Sequence, residues 1–158
     1  MSDVDWPVIP SFFEVKFFQN GRRVPICGGA FSEVSGLEAT MEPKAIREGG
    51  RYNGEVQRAG QITYATVILK RGLTPTSHLW NWFKLLANGH TAVRMRAELV
   101  QLRPTASGGR EVALRWVMQN ALPTKFKAAT YTSTAAEVGI EELHFVHEGL
   151  TMRSGAGG

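Results

Sequence analysis

The chain has 158 residues, of which 43% are hydrophobic and 20% are charged. These proportions are those of a soluble globular protein, and the length is most simply that of one domain. Eighteen Lys and Arg residues against fourteen Asp and Glu residues give a net charge of +4, an excess too small to indicate nucleic-acid binding by itself. The single cysteine, Cys27, excludes an intrachain disulfide and any cysteine-rich zinc motif.

The N-terminus, MSDVDWPVIP, lacks the apolar segment of a Sec signal peptide. No stretch of the sequence approaches the roughly 18 apolar residues that a membrane span needs. We therefore expect assembly in the cytoplasm and no membrane anchoring. We also expect a single domain over residues 1–150 and a disordered tail over residues 151–158.

Alternating hydrophobic residues are the main local signal. They predict strands at residues 12–19, 22–27, 31–41, 61–71, 92–100 and 112–118. Asn20-Gly21 favours a tight hairpin turn between the first two strands, and Gly36 interrupts the third. The segment 120–126, which contains Pro123, is expected to be an irregular crossing. These patterns are typical of a mainly β, antiparallel protein.

One helix stands out among the strands. Pro75-Thr76-Ser77 offers a capping hydroxyl, and Gly89 lies where a helix C-terminus favours a left-handed residue. Between them, four apolar side chains recur at helical spacing and are expected to face the core: Leu79, Trp82, Phe83 and Leu86.

The segment between Leu37 and Gly60 has strand-like flanks around a GGRYNG centre. Its large apolar residues are few, namely Met41, Ile46, Tyr52 and Val56. A long polar hairpin cannot stabilise itself in water, and its edges would leave backbone donors and acceptors unpaired. Two interpretations remain open. The segment is either a loose surface hairpin or a hairpin covered by strand addition from a neighbouring copy.

The stretch EVGIEELHFVHEGL, residues 137–150, has a hydrophobic pattern that changes faces partway along. Val138 and Ile140 share one face of a strand, whereas Leu143 and Phe145 share the other. We therefore expect a β-bulge near Glu141–Glu142.

The same stretch has the composition of a metal site but not its spacing. His144 and His147 are three residues apart, so in a strand they point to opposite faces and cannot easily share an ion. Adjacent carboxylates at Glu141 and Glu142 also alternate across a strand, which suits solvation. Ser35 lacks a nucleophile-elbow motif, and the paired glycines match no phosphate-binding loop. The sequence thus predicts no metal, no cofactor and no enzyme.

The arginines allow one other class of function. Arg94, Arg96 and Arg115 could align on the solvent face of two strands and hold phosphate, but Glu98 and Glu111 interrupt the row. A solvated face is the favoured interpretation. A small basic β-domain that binds nucleic acid remains the alternative.

Six motifs occur in order along the chain. They are FSEVSGL at 31–37, REGG at 47–50, LKRG at 69–72, LWNWF at 79–83, NALP at 120–123 and IEEL…HEGL at 140–150. Over roughly residues 12 to 150, this series resembles the tail tube protein family of contractile phages and phage-tail-like contractile injection systems.

The resemblance implies an antiparallel β-barrel or sandwich with one flanking helix and a long protruding hairpin. It implies hexameric rings that stack into a hollow tube, with sheath, baseplate and tube-terminating proteins as partners and DNA or effector protein as transient cargo. Such a protein would end in a phage tail or an injection particle, without cofactor. It also implies kinship with the ring-forming tube protein of type VI secretion. A tube-initiating or capping paralogue is the alternative within the family.

In such tubes a hairpin of each subunit pairs with its neighbours. Here the resemblance assigns that role to Met41, Ile46, Arg47, Tyr52 and Val56. Strand alternation then predicts that one face lines the bore, with Glu38, Thr40, Glu42, Gln57 and Gln61. The opposite face, with Ala39, Met41 and Ala45, is expected to pack outward against the barrel.

Overall fold

Antiparallel strands make up most of the structure. The computed structural model describes residues 13–25, 27–47, 49–50, 54–75, 77–89, 94–134, 136 and 139–155. Within these ranges the elements are β1 Phe13–Gln19, β2 Cys27–Ala30, β3 Glu33–Ser35, β4 Ala39–Met41, β5 Lys44–Ile46, β6 Val56–Arg58, β7 Ile62–Tyr64, β8 Val67–Gly72, α1 His78–Ala87, β9 Met95–Pro104, β10 Arg110–Lys127, β11 Ile140–Val146 and β12 Gly149–Ser154.

Strand β10 connects the two halves of the main sheet, whose order is β2-β1-β9-β10-β11-β8-β3. Its first part pairs with β9 and β12, and its last part pairs with β11. Between these parts the register with β9 shifts, and Asn120 adopts a left-handed φ of 52°. A bulge of this kind bends a strand, so β10 can pass from one half of the sheet to the other.

The two halves enclose one apolar core. Phe17 of β1 contacts Phe145 of β11 edge-on, with ring centroids 5.7 Å apart. In the described ranges the edge strands β2 and β3 do not pair with each other. The fold is therefore an open antiparallel sandwich, which confirms that alternative of the predicted fold class, and not a closed barrel.

Helix α1 flanks the sandwich as predicted. Leu79 and Trp82 are buried against the core, and the Trp82 ring lies 4.7 Å from that of Phe17. Gly89 adopts a φ of 85° just after the helix, as a C-terminal glycine should. The Ser77 hydroxyl does not cap the helix; it accepts a hydrogen bond from the Asn81 side chain at 3.1 Å instead.

Four strand predictions differ from the structure. The predicted strands 31–41 and 61–71 are each divided into two, β3 with β4 and β7 with β8. The Asn20-Gly21 turn forms, but the return strand β2 begins only at Cys27, after Pro25, which has no N–H for a ladder. The segment 120–126 is part of β10 and not an irregular crossing. The register with β11 shifts directly after Pro123, and a bulge is one of the places where a strand accommodates a proline.

The predicted disordered tail is also partly wrong. Residues 151–154 belong to β12, which pairs with Leu114–Gln119 of β10. This pairing is favourable because it sets the partly buried Leu150 opposite Met118 in the core. Residues 156–158 lie outside the described ranges.

Candidate assembly surface

A long hairpin leaves the sandwich where Gly36 crosses Thr66. Gly36 has a φ of 86°, and a Cβ there would lie 2.0 Å from the Thr66 carbonyl oxygen. This close approach requires glycine. Beyond the crossing, β4 pairs with β7 and β5 pairs with β6, in two small ladders outside the main sheet. The hairpin therefore runs over residues 39–64 and extends past the predicted end at Gly60.

A bulge separates the two ladders of the hairpin. Met41 is opposite Ile62 in the first ladder, whereas Lys44 is opposite Arg58 in the second, so one strand has an extra residue at 59–60. Gly60 fits this bulge because a Cβ would lie 1.8 Å from the Glu42 carbonyl oxygen.

The proximal ladder has one apolar face and one polar face. Cross-strand partners share a face, so Ala39 and Met41 lie with Ile62 and Tyr64. The opposite face carries Thr40 with its partner Thr63, and by alternation it also carries Glu38, Glu42 and Gln61.

The bulge changes the predicted faces of the distal ladder. Ala45 and Gln57 are direct partners, so they share a face. The prediction that Gln57 lies on one face and Ala45 on the other is therefore wrong. A shift of one residue exchanges the faces of a strand, and the sequence pattern does not reveal it.

The apolar face of the hairpin is uncovered in the single chain. Met41 is 44% exposed and Ile62 is 54% exposed. Ala39 and Met41 are therefore exposed in the single chain, and their outward packing in an assembly stays a prediction. Ile46, which follows Ala45 and therefore lies on the opposite face, is 37% exposed. Val56 is half-buried, and Arg47 lies 4.0 Å from Glu55; Tyr52 lies outside the described residues.

The base of the hairpin is held by His147. The Tyr64 ring lies 5.0 Å from the His147 ring, and His147 Nδ1 donates to the Gly149 carbonyl oxygen at 3.0 Å. Burial lowers the pKa of His147. Its Nε2 atom is buried and has no hydrogen-bond partner, which is consistent with a neutral ring. His147 thus joins the hairpin base to the start of β12.

The bulge expected near Glu141–Glu142 is absent, and Glu141 forms a buried ion pair. β11 pairs with β8 without interruption, and Glu141 is directly opposite Arg71. The Arg71 side chain donates to the Glu141 carboxylate, both are buried, and the guanidinium also lies 5.6 Å from the Phe31 ring. The alternation therefore continues through Glu141, Leu143 and Phe145. Ile140 is simply exposed.

The other charges of β11 form contacts on the outer face. Glu142 lies between Lys70 and Lys127 in the strand register, and His144 Nε2 lies 3.1 Å from its carboxylate. The hydrogen bond from His144, with the two lysines, lowers the pKa of Glu142. His144 and the buried His147 thus lie on opposite faces, and the described residues contain no group of three or more metal-ligating side chains.

The arginine row is neutralised by carboxylates. Glu98 accepts from Arg96 at 3.0 Å and lies 3.8 Å from Arg115. Arg94 pairs with Glu148 at 2.7 Å. Paired arginines are poorly placed to hold phosphate, so this geometry disfavours the nucleic-acid interpretation.

Comparison with known families gives a direct assignment. The model of the T4-like virus tail tube protein gp19 family matches residues 11–151. The chain belongs to this family. It is accordingly a structural component of a contractile tail tube or of a related phage-tail-like particle. A comparison with curated proteins gives no match.

Solved structures share the fold of this tail-tube protein. A chain of the anti-feeding prophage baseplate, solved by cryo-EM with six-fold symmetry, aligns with a TM-score of 0.76 and 22% identity over 94% of this chain and 97% of that chain. A chain of an extracellular contractile injection system, the PVC sheath-tube complex, aligns with a TM-score of 0.74 and 19% identity over 96% of this chain and 94% of that chain. A crystal structure of an Hcp protein aligns with a TM-score of 0.55 and 13% identity over 90% of this chain and 98% of that chain.

The tail-tube chain has one helix in its described part, and α1 is too short to span a bilayer.

Proposed function

We propose that this tail-tube protein assembles through the hairpin 39–64 into closed rings of six copies, which stack into a hollow tube. The observation that carries the proposal is the exposed apolar face of the hairpin, with Ala39, Met41 and Ile62. Two-stranded ladders are marginal in water and leave strand edges open. Pairing between the hairpins of neighbouring copies around a ring removes the edges, because a closed barrel has none, and it turns the apolar face outward toward neighbouring copies, which would cover it.

The family and the related structures support the proposed number of copies and the proposed partners. Six-fold symmetry in the anti-feeding prophage baseplate supports a ring of six. The sheath-tube complex and the tube-terminating cap among the similar structures support a sheath and a terminator as partners of the assembled tube. We further propose assembly in the cytoplasm before incorporation into the particle.

The bore would be lined by the polar face of the hairpin. Glu38, Thr40, Glu42 and Gln61 share that face, and the apolar face then turns outward toward neighbouring copies. A surface of carboxylates and small polar groups repels the phosphates of DNA and offers protein cargo no apolar contact, so either cargo would slide.

Replacing Met41 and Ile62 by aspartate tests the hairpin contact. We expect wild-type protein to form rings, and M41D/I62D to remain monomeric with an unchanged sandwich, by native mass spectrometry and negative-stain microscopy. Val24 supplies the control, because it is 74% exposed but lies outside the hairpin. V24D should form rings. Rings formed equally well by M41D/I62D, or a wild-type protein that stays monomeric at all concentrations, would contradict the proposal.

A further inference from the structure

A buried histidine joins the hairpin to the sandwich. His147 is 8% exposed and lies between β11 and β12. The centroid of its ring is 5.0 Å from that of Tyr64, the last residue of the hairpin, and 6.5 Å from that of Phe145 in the core. One imidazole therefore contacts both parts of the molecule, and the contact lasts only while the ring stays packed between them.

The hydrogen bond of this ring defines its protonation state. Nδ1 donates to the Gly149 carbonyl oxygen at 3.0 Å, so the neutral ring of His147 has its lone pair on Nε2. The Nε2 atom is buried and has no hydrogen-bond partner among the described residues. A proton added there would create a buried donor without an acceptor and a buried charge, and both are unfavourable.

Four strands lie around the ring, and in the described part of the chain they present uncharged groups to it. β7 contributes the phenol of Tyr64, and acid cannot make a phenol anionic. β11 contributes the Phe145 ring, and β12 contributes the Gly149 carbonyl. β10 places Gln119 opposite Gly149. These groups do not compensate a positive charge on the ring.

The carboxylates nearest to His147 in the chain are already bound to other groups. Glu148 accepts hydrogen bonds from Arg94 at 2.7 Å and from Asn120 at 2.9 Å. Glu142 lies on the outer face of β11, where its carboxylate contacts His144. Burial is accordingly the main influence on His147, and it lowers the pKa of the ring.

Building on the proposed ring of copies, we propose that protonation of His147 releases the base of the hairpin and thereby prevents ring formation. The charged imidazole has to reach water, and as it leaves it gives up its contact with Tyr64. Backbone bonds such as that from the Ala65 N–H to the Glu38 carbonyl oxygen, at 3.1 Å, then remain at the base. A hairpin with a loose base no longer holds its edges in the direction that pairing with neighbouring copies requires. His147 is thus a positioning residue for assembly.

The size of the effect follows from the proton equilibrium. A histidine in water has a pKa of about 6.5. The proton binds to the released state and not to the packed state, so acid favours release. From pH 7.5 to pH 5.5 the ratio of released to packed hairpins rises about tenfold. The protein concentration at which half the copies are in rings should therefore rise by up to about tenfold.

Replacing His147 by asparagine tests this dependence. H147N keeps a donor for the Gly149 carbonyl but cannot become charged, so its rings should form equally well at pH 7.5 and pH 5.5. Sedimentation over a range of protein concentrations, at fixed ionic strength, measures ring formation by the variant and the wild type, and circular dichroism shows that both are folded. H144N is the matched control, because His144 lies on the outer face, and it should keep the wild-type response to pH.

Hydrogen exchange provides a second measurement if H147N forms no rings at either pH. In the monomeric M41D/I62D background, the protection factor of the Ala65 amide should fall by up to about tenfold between pH 7.5 and pH 5.5. Adding H147N should abolish that fall. The Ser32 amide, which donates to the Lys70 carbonyl oxygen at 2.8 Å within the sandwich, is the control and should change less.

The possible results separate the release of the hairpin from the ring itself. A wild-type protein that forms no rings at pH 7.5 refutes the proposed ring, and the dependence of assembly on His147 fails with it. If rings form but the wild type and H147N respond to acid alike, the release is wrong and the ring stands. If H147N forms no rings, a fall in Ala65 protection that is equal with and without His147 overturns the release.

Discussion

The buried pair of Arg71 and Glu141 makes the fold sensitive to a single substitution, Glu141→Leu. The two side chains are only 7% and 6% exposed. Leucine removes the carboxylate and leaves a guanidinium that cannot lose its proton in a protein. The charge would then be buried without its partner on the opposite strand, so we expect a large loss of stability.

The expected loss follows from the burial of both groups. Breaking a buried ion pair by removing one partner costs about 3–5 kcal/mol. For a chain of this length, 1 kcal/mol corresponds to roughly 2–4 °C in Tm, so a loss near the middle of that range lowers Tm by about 12 °C. Replacing both partners removes the buried charge altogether. R71M/E141L should therefore recover most of the loss, which gives a coupling of about 2–4 kcal/mol in a double-mutant cycle.

Urea unfolding measures these free energies if assembly is prevented. The M41D/I62D background serves this purpose, because binding between copies would otherwise add to the apparent stability. Glu33 provides the control, since it forms an exposed pair with Lys70 at 3.5 Å, and E33L should cost less than about 1 kcal/mol. If E141L costs no more than E33L, or if the double variant loses as much as the two single variants together, the explanation of the pair is wrong.

Two further predictions concern the base and the middle of the hairpin. Burial lowers the pKa of His147 below 6.5. The unfolded chain therefore binds a proton at higher pH than the folded chain does. Wild-type stability should fall as the pH drops from about 7.5 to about 5.5. The amide of H147N can donate to Gly149, and this variant should lose less stability over the same pH range, as measured by urea titration. Equal losses in the variant and the wild type would count against this explanation. G60A should abolish rings without lowering the Tm of the sandwich, while G49A, which has open space at Cβ, should assemble normally; rings from G60A would refute the bulge argument.

The sequence predicts most elements of the fold because local patterns determine them. Period-two alternation locates the strands around Val15 and Leu99, and helical spacing identifies Leu79 and Trp82. The path of β10 is not predictable in this way. Pro123 normally ends a strand, and only the bulge beside it, together with the left-handed Asn120, lets the strand continue into the second half of the sheet.

The candidate site is predictable in outline but not in register. The hairpin and its apolar residues are evident from the sequence, whereas the extra residue next to Gly60 is a backbone feature that no hydrophobic pattern reports. Glu141 was missed for a different reason. A carboxylate in a strand is assumed to face water, and its burial depends on Arg71, which is 70 residues away in the chain.

The sandwich and the hairpin differ in how far a single chain covers their apolar residues. The sandwich encloses an apolar core and contains the buried ion pair of Arg71 with Glu141, so its stability depends on contacts within the chain. The hairpin leaves Met41 and Ile62 exposed, and pairing with another copy would cover them. Substitutions in the sandwich should therefore change folding, and substitutions in the hairpin should change assembly. A protein divided in this way can fold as a monomer and still become rigid once its hairpins are joined.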